Sequence, residues 1–355
     1  MNHQFKYSVI VPLYNKANYI IETINSVKEQ IFKDWELIIV DDGSTDDSYE
    51  LAIAASKESH ADRIRVLKRL DYTKDKRGGS VCRNIGIKAS KGRYLLFLDA
   101  DDLLLPFCLQ QRDNWIEKTP GFDMYIFNVA YCRGVEKEVF LKERPSSGYL
   151  FRYYLATNKR RFFLKSFLKS DVVWHTSGPV WDSHFINELN GFNEDFQRLQ
   201  DPELHTRALL KRNNKVKYLM NITDYDILHR MDEDRLVWNE MDFFSNRINA
   251  IKKYIEYFSD FLNKEDETML LRKLQGYLIL AETICYRSIR STNDKNKSKA
   301  FESILKDFYT DSNIKLIISP LFKIFMKAFR FSTRIAFLMR LKVPGILLLT
   351  YKKGL

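Results

Sequence analysis

Cysteine, long apolar runs and glycine-rich phosphate loops are all scarce in this 355-residue chain. Its four cysteines, Cys82, Cys108, Cys132 and Cys285, lie far apart with no C-x-x-C pair. That spacing argues against a disulfide framework or a zinc site and points to a reducing, cytoplasmic setting. No window offers 18 consecutive apolar residues, so no segment is expected to span a bilayer. The opening MNHQFKYSVIVPLYN enters an apolar strand pattern without the basic region, apolar core and cleavage site of an export signal. Neither G-x-x-x-x-G-K-[ST] nor a strand-linked G-x-G-x-x-G occurs, which removes support for nucleoside triphosphatase and dinucleotide oxidoreductase readings. Internal repeats and low-complexity segments are also missing.

Charge is present, and its location says more than its sum. The net charge is +11, but nine Lys and Arg fall between Ser312 and Leu355, where no Asp or Glu occurs, so the rest is near neutral. Within that tail Lys323, Lys327, Arg330 and Arg334 recur at helical spacing, opposite Leu321, Phe325, Ala328, Ile335 and Met339. A cationic amphipathic helix of this kind suits an anionic membrane surface, and VPGILLLTY at 343–351 is long enough to enter the interface without crossing it. The alternative is a helix packed on its own domain with its basic face in water.

The first hundred residues alternate between strand and helix patterns. SVIVPLY (8–14), ELIIV (36–40), IRVLKR (64–69) and YLLFL (94–98) read as strands, the apolar, β-branched runs among them as buried ones. IIETINSVKEQ (20–30) and DDSYELAIAASKES (46–59) have helical spacing, and a further helix is expected near SVCRNIGIKASKG, stopped by Gly92. The alternation implies an α/β, Rossmann-like, mostly parallel sheet, in which ligands bind outside the carboxyl ends of the strands. Residues from about 106 to 230 are less regular, and a charged helical pattern extends from about 235 to 310.

Acidic residues collect at the expected strand ends. After YLLFL come Asp99, Asp101 and Asp102 in DADD, an arrangement that mutual repulsion and desolvation disfavour unless a cation or donors compensate. Carboxylates at i and i+2 suit a hard divalent cation such as magnesium or manganese, with positions left for phosphate oxygens. A helix N-cap ahead of LLLPFCLQ is the plainer reading, although one Asp suffices for it. In VDDGSTDDS (40–48) turn chemistry accounts for Gly43 to Asp46, with Ser44 or Asp46 as cap, whereas Asp41 at the strand end is placed to pair with a base or ribose donor.

Taken in order, SVIVPLYNKANYI, DDGSTDDS, GGSVCRNIGIKASKGRYLLFLDADD and NGFNEDFQRLQDPELHTR resemble the motifs of family 2 glycosyltransferases of bacterial surface-polysaccharide type, over roughly residues 6–235. The resemblance implies the A-type glycosyltransferase fold with a C-terminal helical extension. Residues 1–105 would be a nucleotide-sugar half, 106–235 an acceptor-binding and catalytic half, 236–311 a helical extension and 312–355 the membrane-associating tail. Pro12, Tyr14 and Asp41 would line the pocket for uracil and ribose, with Arg83 close to the diphosphate. Asp99 would contact ribose or metal, Asp101 would bind the Mn2+ or Mg2+ that bridges the diphosphate, and Asp102 would have a lesser role. His229, in YDILHRMDEDR, would approach the metal or diphosphate; an isolated His also serves as a structural residue.

The family places its general base in an acidic pair ahead of a helix, which makes Asp201 the candidate base, with Glu203 and Asp195 as alternatives. This chain departs from the commoner Glu-Asp pair by carrying Gln200. Asp201-Pro202-Glu203 is also a good helix start. WHTSGPVW (174–181) would serve as an acceptor-side aromatic wall or as core. The implied activity is inverting transfer of a sugar from a nucleotide-diphosphate donor, a UDP-sugar above all, to an acceptor hydroxyl. With the tail, it points to a lipid-linked saccharide acceptor at the inner face of the cell membrane. Two other classes compete for the same features. An Asp-x-Asp phosphatase wants Thr or Val where Leu103 stands, and its motif normally ends the first strand. A nucleic-acid-binding protein wants a basic surface on its folded part, which the near-neutral balance before Ser312 does not supply.

Overall fold

The computed structural model describes residues 3–133, 138–140, 155–168, 174–211, 216–218, 225–231, 249–250, 253–258, 260 and 263–265. The basic tail and most of the expected helical extension lie outside the described residues. The chain divides into two compact units, Met1–Leu164 with Val172–Leu236, and Lys165–Asp171 with Val237–Leu355.

The first unit begins with the expected alternation: β1 (Phe5–Leu13), α1 (Ile20–Lys28), β2 (Trp35–Asp41), α2 (Ser48–Glu58), β3 (Ile64–Lys68), α3 (Gly79–Ala89) and β4 (Gly92–Phe97). Next come β5 (Leu103–Leu104), α4 (Cys108–Lys118), β6 (Met124–Ile126), β7 (Val129–Arg133), β8 (Glu138–Phe140) and α5 (Lys159–Leu168). The series closes with β9 (Pro179–Asp182), α6 (Ser183–Glu188), α7 (Gln200–Leu210), β10 (Val216–Tyr218) and β11 (Ile227–Arg230).

Seven strands form the main sheet in the order β10-β6-β9-β4-β1-β2-β3. β1 runs parallel to β2 and β4, and β2 parallel to β3. β9 is antiparallel to both β4 and β6. A second sheet, β5-β11-β7-β8, covers the region after the DADD turn. Both faces of the parallel strands are covered, so their sequences are continuously apolar rather than alternating. Leu37 and Ile39 of β2 join Ile20, Ile24, Val27, Ala52 and Ala55 of α1 and α2 in one core, while Ile38 and Val40 meet Val81, Cys82 and Ile85 of α3 in another.

Two glycines set close approaches to β1, one from α3 and one from β4. A Cβ on Gly86 would overlap Ile10 Cγ2, so the helix seats directly on β1. Gly92 does not stop the helix as expected. α3 ends at Ala89, and Gly92 opens β4, where a Cβ would come within 2.6 Å of the Ser8 backbone nitrogen. Gly92 also donates to Ser8 Oγ at 2.9 Å. Close strand approach, rather than a left-handed cap, explains that residue.

In the second unit Tyr254 and Phe258 pack with ring centroids 4.6 Å apart, and Lys165 Nζ pairs with Glu265 at 2.7 Å.

Candidate active site

Parallel pairing brings the acidic residues to one edge. Leu13 is in register with Asp41, and Leu98 continues β4 by donating to Ile10 O, so Asp41 and the DADD turn both leave the carboxyl edge of the sheet, flanking β1. Pro12 lies in β1 opposite Val40, and Tyr14, just beyond the strand, is 54% exposed. Asp41 is buried, and its carboxylate accepts from Gly43 N at 2.9 Å and Ser44 N at 3.2 Å, which folds the Asp-Gly-Ser turn beneath it. Asp46 accepts from Ser48 N at 3.1 Å, fastening the first turn of α2 from just before Asp47, where the helix is capped.

Asp102 N donates to Asp99 O at 3.0 Å, and Thr23 Oγ1 holds the turn by donating to Ala100 O and Asp102 O. The three carboxylates then diverge. Asp99 Oδ1 accepts from Arg83 Nη2 at 2.6 Å. Asp101 Oδ2 accepts from Lys16 Nζ at 2.5 Å. Asp102 lies within 2.9 and 3.0 Å of His229 Nδ1 and accepts from Arg230 N at 3.1 Å. Arg230 is fixed by Asp101 O at 3.0 Å, by Glu22 at 3.0 Å and by the Tyr19 ring.

The electrostatics arise from these pairings. Burial pushes the Asp99 carboxyl up, but Arg83 beside it, together with His175 and His229, outweighs that and holds it at about 2. Asp102 is displaced upward, because burial and the charge of Asp99 outweigh its bond to His229. His175 is displaced downward by burial and by His229. The two imidazoles lie 4.1 Å apart between centroids, and Ser177 Oγ engages His175 Nδ1 at 2.7 Å.

Divalent-ion chemistry is implied by the acids, and the donor set can be tested against it. Among the described residues Asp102, His175 and His229 offer ligand atoms all within 4.8 Å of one another. One carboxylate and two imidazoles are ligands that first-row divalent ions accept, so these residues fit such an ion. His229 belongs to this set and to the one expected from the sequence; Asp99 and Asp101 are instead engaged by Arg83 and Lys16.

Arg83 carries the site across to the acceptor-side motif. Its Nη1 donates to Gln200 Oε1 at 3.4 Å, and its guanidinium packs on the Phe192 ring. α7 starts at Gln200 behind Leu199, a non-glycine residue with φ of 60°, so Asp201 lies in the first turn rather than at the cap. Asp201 Oδ1 is buried and has no hydrogen-bond partner among the described residues. Its charge reaches both Arg83 and His175. Of the alternatives, Glu203 is wholly buried and bound to Arg207 at 2.5 and 2.8 Å, and Asp195 lies exposed on the turn before α7. Trp174 and Trp181 are buried and flank His205, so WHTSGPVW contributes core as well as His175.

Lys16, His175 and Asp42 are site residues that sequence reasoning misses. Lys16 lies inside the SVIVPLYNKANYI motif, and a lysine one turn past a strand end facing three acids is the available signal. His175 has none, since nothing in its spacing ties it to residue 102 or 229. Asp42 pairs with Arg69 at 2.5 Å and accepts from Gly78 N at 2.8 Å, linking the ends of β2 and β3 to the start of α3.

Comparison with known proteins agrees with this architecture. Residues 8–178 match the model of the family described as Glycosyl transferase family 2. An uncharacterized glycosyltransferase of Rickettsia prowazekii, RP339, is 34% identical over 276 residues, covering 78% of this chain and 77% of that protein. The putative teichuronic acid biosynthesis glycosyltransferase TuaG of Bacillus subtilis is 42% identical over 143 residues, 40% of this chain and 54% of that protein. An uncharacterized glycosyltransferase of Rickettsia felis is 46% identical over 101 residues, but the match spans only 15% of that longer protein. Among solved structures, S. aureus TarS 1-349 in complex with UDP-GlcNAc aligns with a TM-score of 0.60 at 16% identity, over 96% of this chain and 93% of that one. The mannosyltransferase PcManGT of Pyrobaculum calidifontis, in complex with GDP-Man and Mn2+, aligns with a TM-score of 0.54 at 16% identity, over 95% and 88%. Those likenesses show the A-type fold. With the fold, the ordered motifs and a relative matched over most of both chains, this chain belongs to glycosyl transferase family 2.

Proposed function

We propose that the protein is an inverting glycosyltransferase that moves a sugar from a nucleotide-diphosphate donor, a UDP-sugar, to an acceptor hydroxyl in cell-surface polysaccharide synthesis. The observation that carries this reading is the convergence of Asp41, Asp99, Asp101, Asp102, Arg83 and Asp201 on one sheet edge. Pro12, Tyr14, Asp41 and Asp99 would line the nucleoside side, and Arg83 would face the diphosphate. Asp102, His175 and His229, with Asp101 on the same turn, would hold Mn2+ or Mg2+, which when bound supplies positive charge beside the departing diphosphate.

Asp201 acts as general base. As the acceptor oxygen bonds to the sugar C1, its proton passes to the Asp201 carboxylate, and the C1–O bond to the diphosphate breaks with the electron pair leaving on the phosphate oxygen. One displacement of this kind inverts the anomeric centre. The buried, unpartnered Asp201 Oδ1 supports the assignment, since it has acceptor capacity that no described residue uses. The acceptor would be a lipid-linked saccharide, with residues 312–355 resting on the anionic inner face of the cell membrane.

The test is a donor screen measuring nucleoside diphosphate release from UDP-glucose, UDP-GlcNAc and GDP-mannose, with and without Mn2+. One UDP-sugar should be turned over, and Asp201→Asn should lower transfer about 10²–10⁴-fold while leaving UDP affinity near that of the parent. Undiminished transfer by that variant removes Asp201 as base. Hydrolysis of a simple phosphate ester, with no nucleotide sugar accepted, removes the transferase reading itself.

A further inference from the structure

Two ion pairs lie at the carboxyl edge of the sheet, and they are layered in opposite senses. In the pair Arg83–Asp99 the cation is underneath, with side-chain exposures of 8% and 26%. In the pair Lys16–Asp101 the order is reversed, 25% for the lysine against 2% for the acid. An incoming ligand therefore meets the carboxylate of Asp99 but the ammonium of Lys16, with Asp101 beneath it.

We propose that Lys16 is the site's diphosphate-binding cation, carried on Asp101 and presented by the turn between β1 and α1. The inference rests on the nucleotide-diphosphate reading above and names which side chain reads the phosphates.

The turn is built to hold Lys16 in place. Asn15 takes a φ of 49°, a left-handed conformation that Asn tolerates better than most residues. Its side chain bonds Thr45, accepting from the backbone N at 2.8 Å and donating to Oγ1 at 3.1 Å, while its own N donates to Ser44 Oγ at 3.1 Å. Lys16 N donates to Ser48 Oγ at 2.7 Å, and Ala17 N to Asp46 Oδ2 at 3.1 Å. Five bonds thus tie the backbone around Lys16 to the loop that ends β2, so the lysine stem starts from a fixed point.

Charge balance gives the reason for the role. Asp99 and Asp101 each face a cation of their own, and a diphosphate that enters beside them gains by sharing one of these cations. Arg83 is buried beneath Asp99, and Arg230 is fixed by Asp101 O, Glu22 and Tyr19. Lys16 ends in an ammonium with three donors on a flexible four-carbon stem. It can keep one donor on Asp101 Oδ2 and turn another to a phosphate oxygen, and the buried carboxylate keeps it oriented.

The experiment is titration calorimetry of the full chain with UDP and with uridine, in chelator and again with Mn2+, for the parent, Lys16→Met and Lys16→Arg. Lys16→Met should weaken UDP binding at least tenfold in chelator with uridine binding unchanged, and Lys16→Arg should retain most of the UDP affinity. Equal UDP affinity for parent and Lys16→Met overturns the proposal while leaving the transferase reading intact. Loss of UDP and uridine binding together in both variants assigns Lys16 to the fold of the turn and overturns it as well. A parent chain that binds no UDP with or without Mn2+ removes the nucleotide reading, and this inference with it.

Discussion

Beneath the site lies a wholly buried ion pair whose removal should separate stability from function. Arg112 on α4 is 0% exposed and Asp226, the residue before β11, is 0% exposed. Arg112 Nε and Nη2 donate to the two Asp226 oxygens at 2.7 Å each, Nη1 donates to Ser177 O at 3.1 Å, and the guanidinium packs 4.7 Å from the Phe127 ring. Asp226 O accepts from Leu105 N at 2.9 Å. One guanidinium on α4 thus ties together the chain just after His175 and the start of the strand that carries His229. Replacing Asp226 by Asn leaves a buried, uncompensated charge, which costs about 3–5 kcal/mol. For a folded unit of this size that is a fall in Tm of roughly 6–20 °C. Replacing both partners, Arg112→Met with Asp226→Leu, removes the charge with its counter-ion and should return Tm to within about 3 °C of the parent, because two desolvation penalties vanish together. The segments that carry His175 and His229 would then lack their common tie, so Mn2+ affinity should fall several-fold in a chain of normal stability. Scanning calorimetry gives the first quantity and Mn2+ titration the second. A double variant as unstable as Asp226→Asn refutes the charge argument, and one that is stable with undiminished Mn2+ affinity refutes the tie.

Packing and burial elsewhere in the first unit give further expected outcomes. Gly86→Ala should destabilise by about 1–3 kcal/mol in urea unfolding, since its Cβ would overlap Ile10 Cγ2. Combining it with Ile10→Ala should cost less than the two singles added together. His205, buried between Trp174 and Trp181, has its pKa pushed down to about 3 by burial and then by His175. The unfolded chain therefore binds a proton below pH 6.5 that the folded chain refuses, so stability should fall by about 1.4 kcal/mol per pH unit from pH 6 to 4. His205→Phe should lose that component of the slope, and an unchanged slope would show that other groups set it.

The parallel half of the fold is legible in the sequence because its strands are covered on both faces. LIIV (37–40) and YLLFL have no polar interruption, and that continuity, broken at once by Asp41 and Asp99, locates both the strands and the edge they share. The chain beyond residue 106 is not legible for the converse reason. β9 is only Pro179–Asp182, begins with proline and inserts antiparallel between β4 and β6, while β5, β7, β8 and β11 are two to five residues long. Segments so short carry no usable period, and their pairing partners are far away in sequence. Site residues divide along the same line. Arg83 lies on α3 and Asp99 and Asp101 follow directly on β4, whereas His175 is delivered by a turn before β9 whose place depends on Arg112 and Asp226.

Three neighbouring acids at the end of a buried strand raise a question of cost, and the geometry answers it without needing them to act as one group. Adjacent carboxylates repel, and each would be expensive to bury alone. The turn closed by Asp102 N on Asp99 O points them in three directions, so that each finds its compensation on a different element. Asp99 meets Arg83 on α3, Asp101 meets Lys16 on the turn after β1, and Asp102 meets His229 on β11. The acids therefore serve as the junction at which a helix, a turn and a strand from distant parts of the chain meet. Their effects should not be additive for that reason. Removing Asp101 takes the counter-ion from Lys16 as well as a carboxylate from the site, and removing Asp102 releases His229, so a loss of nucleotide or ion binding in either variant must be read together with the fate of its partner side chain. A ligand entering such a junction meets charges whose positions were already decided by folding, which is the condition under which they can stabilise a developing charge without first having to reorganise.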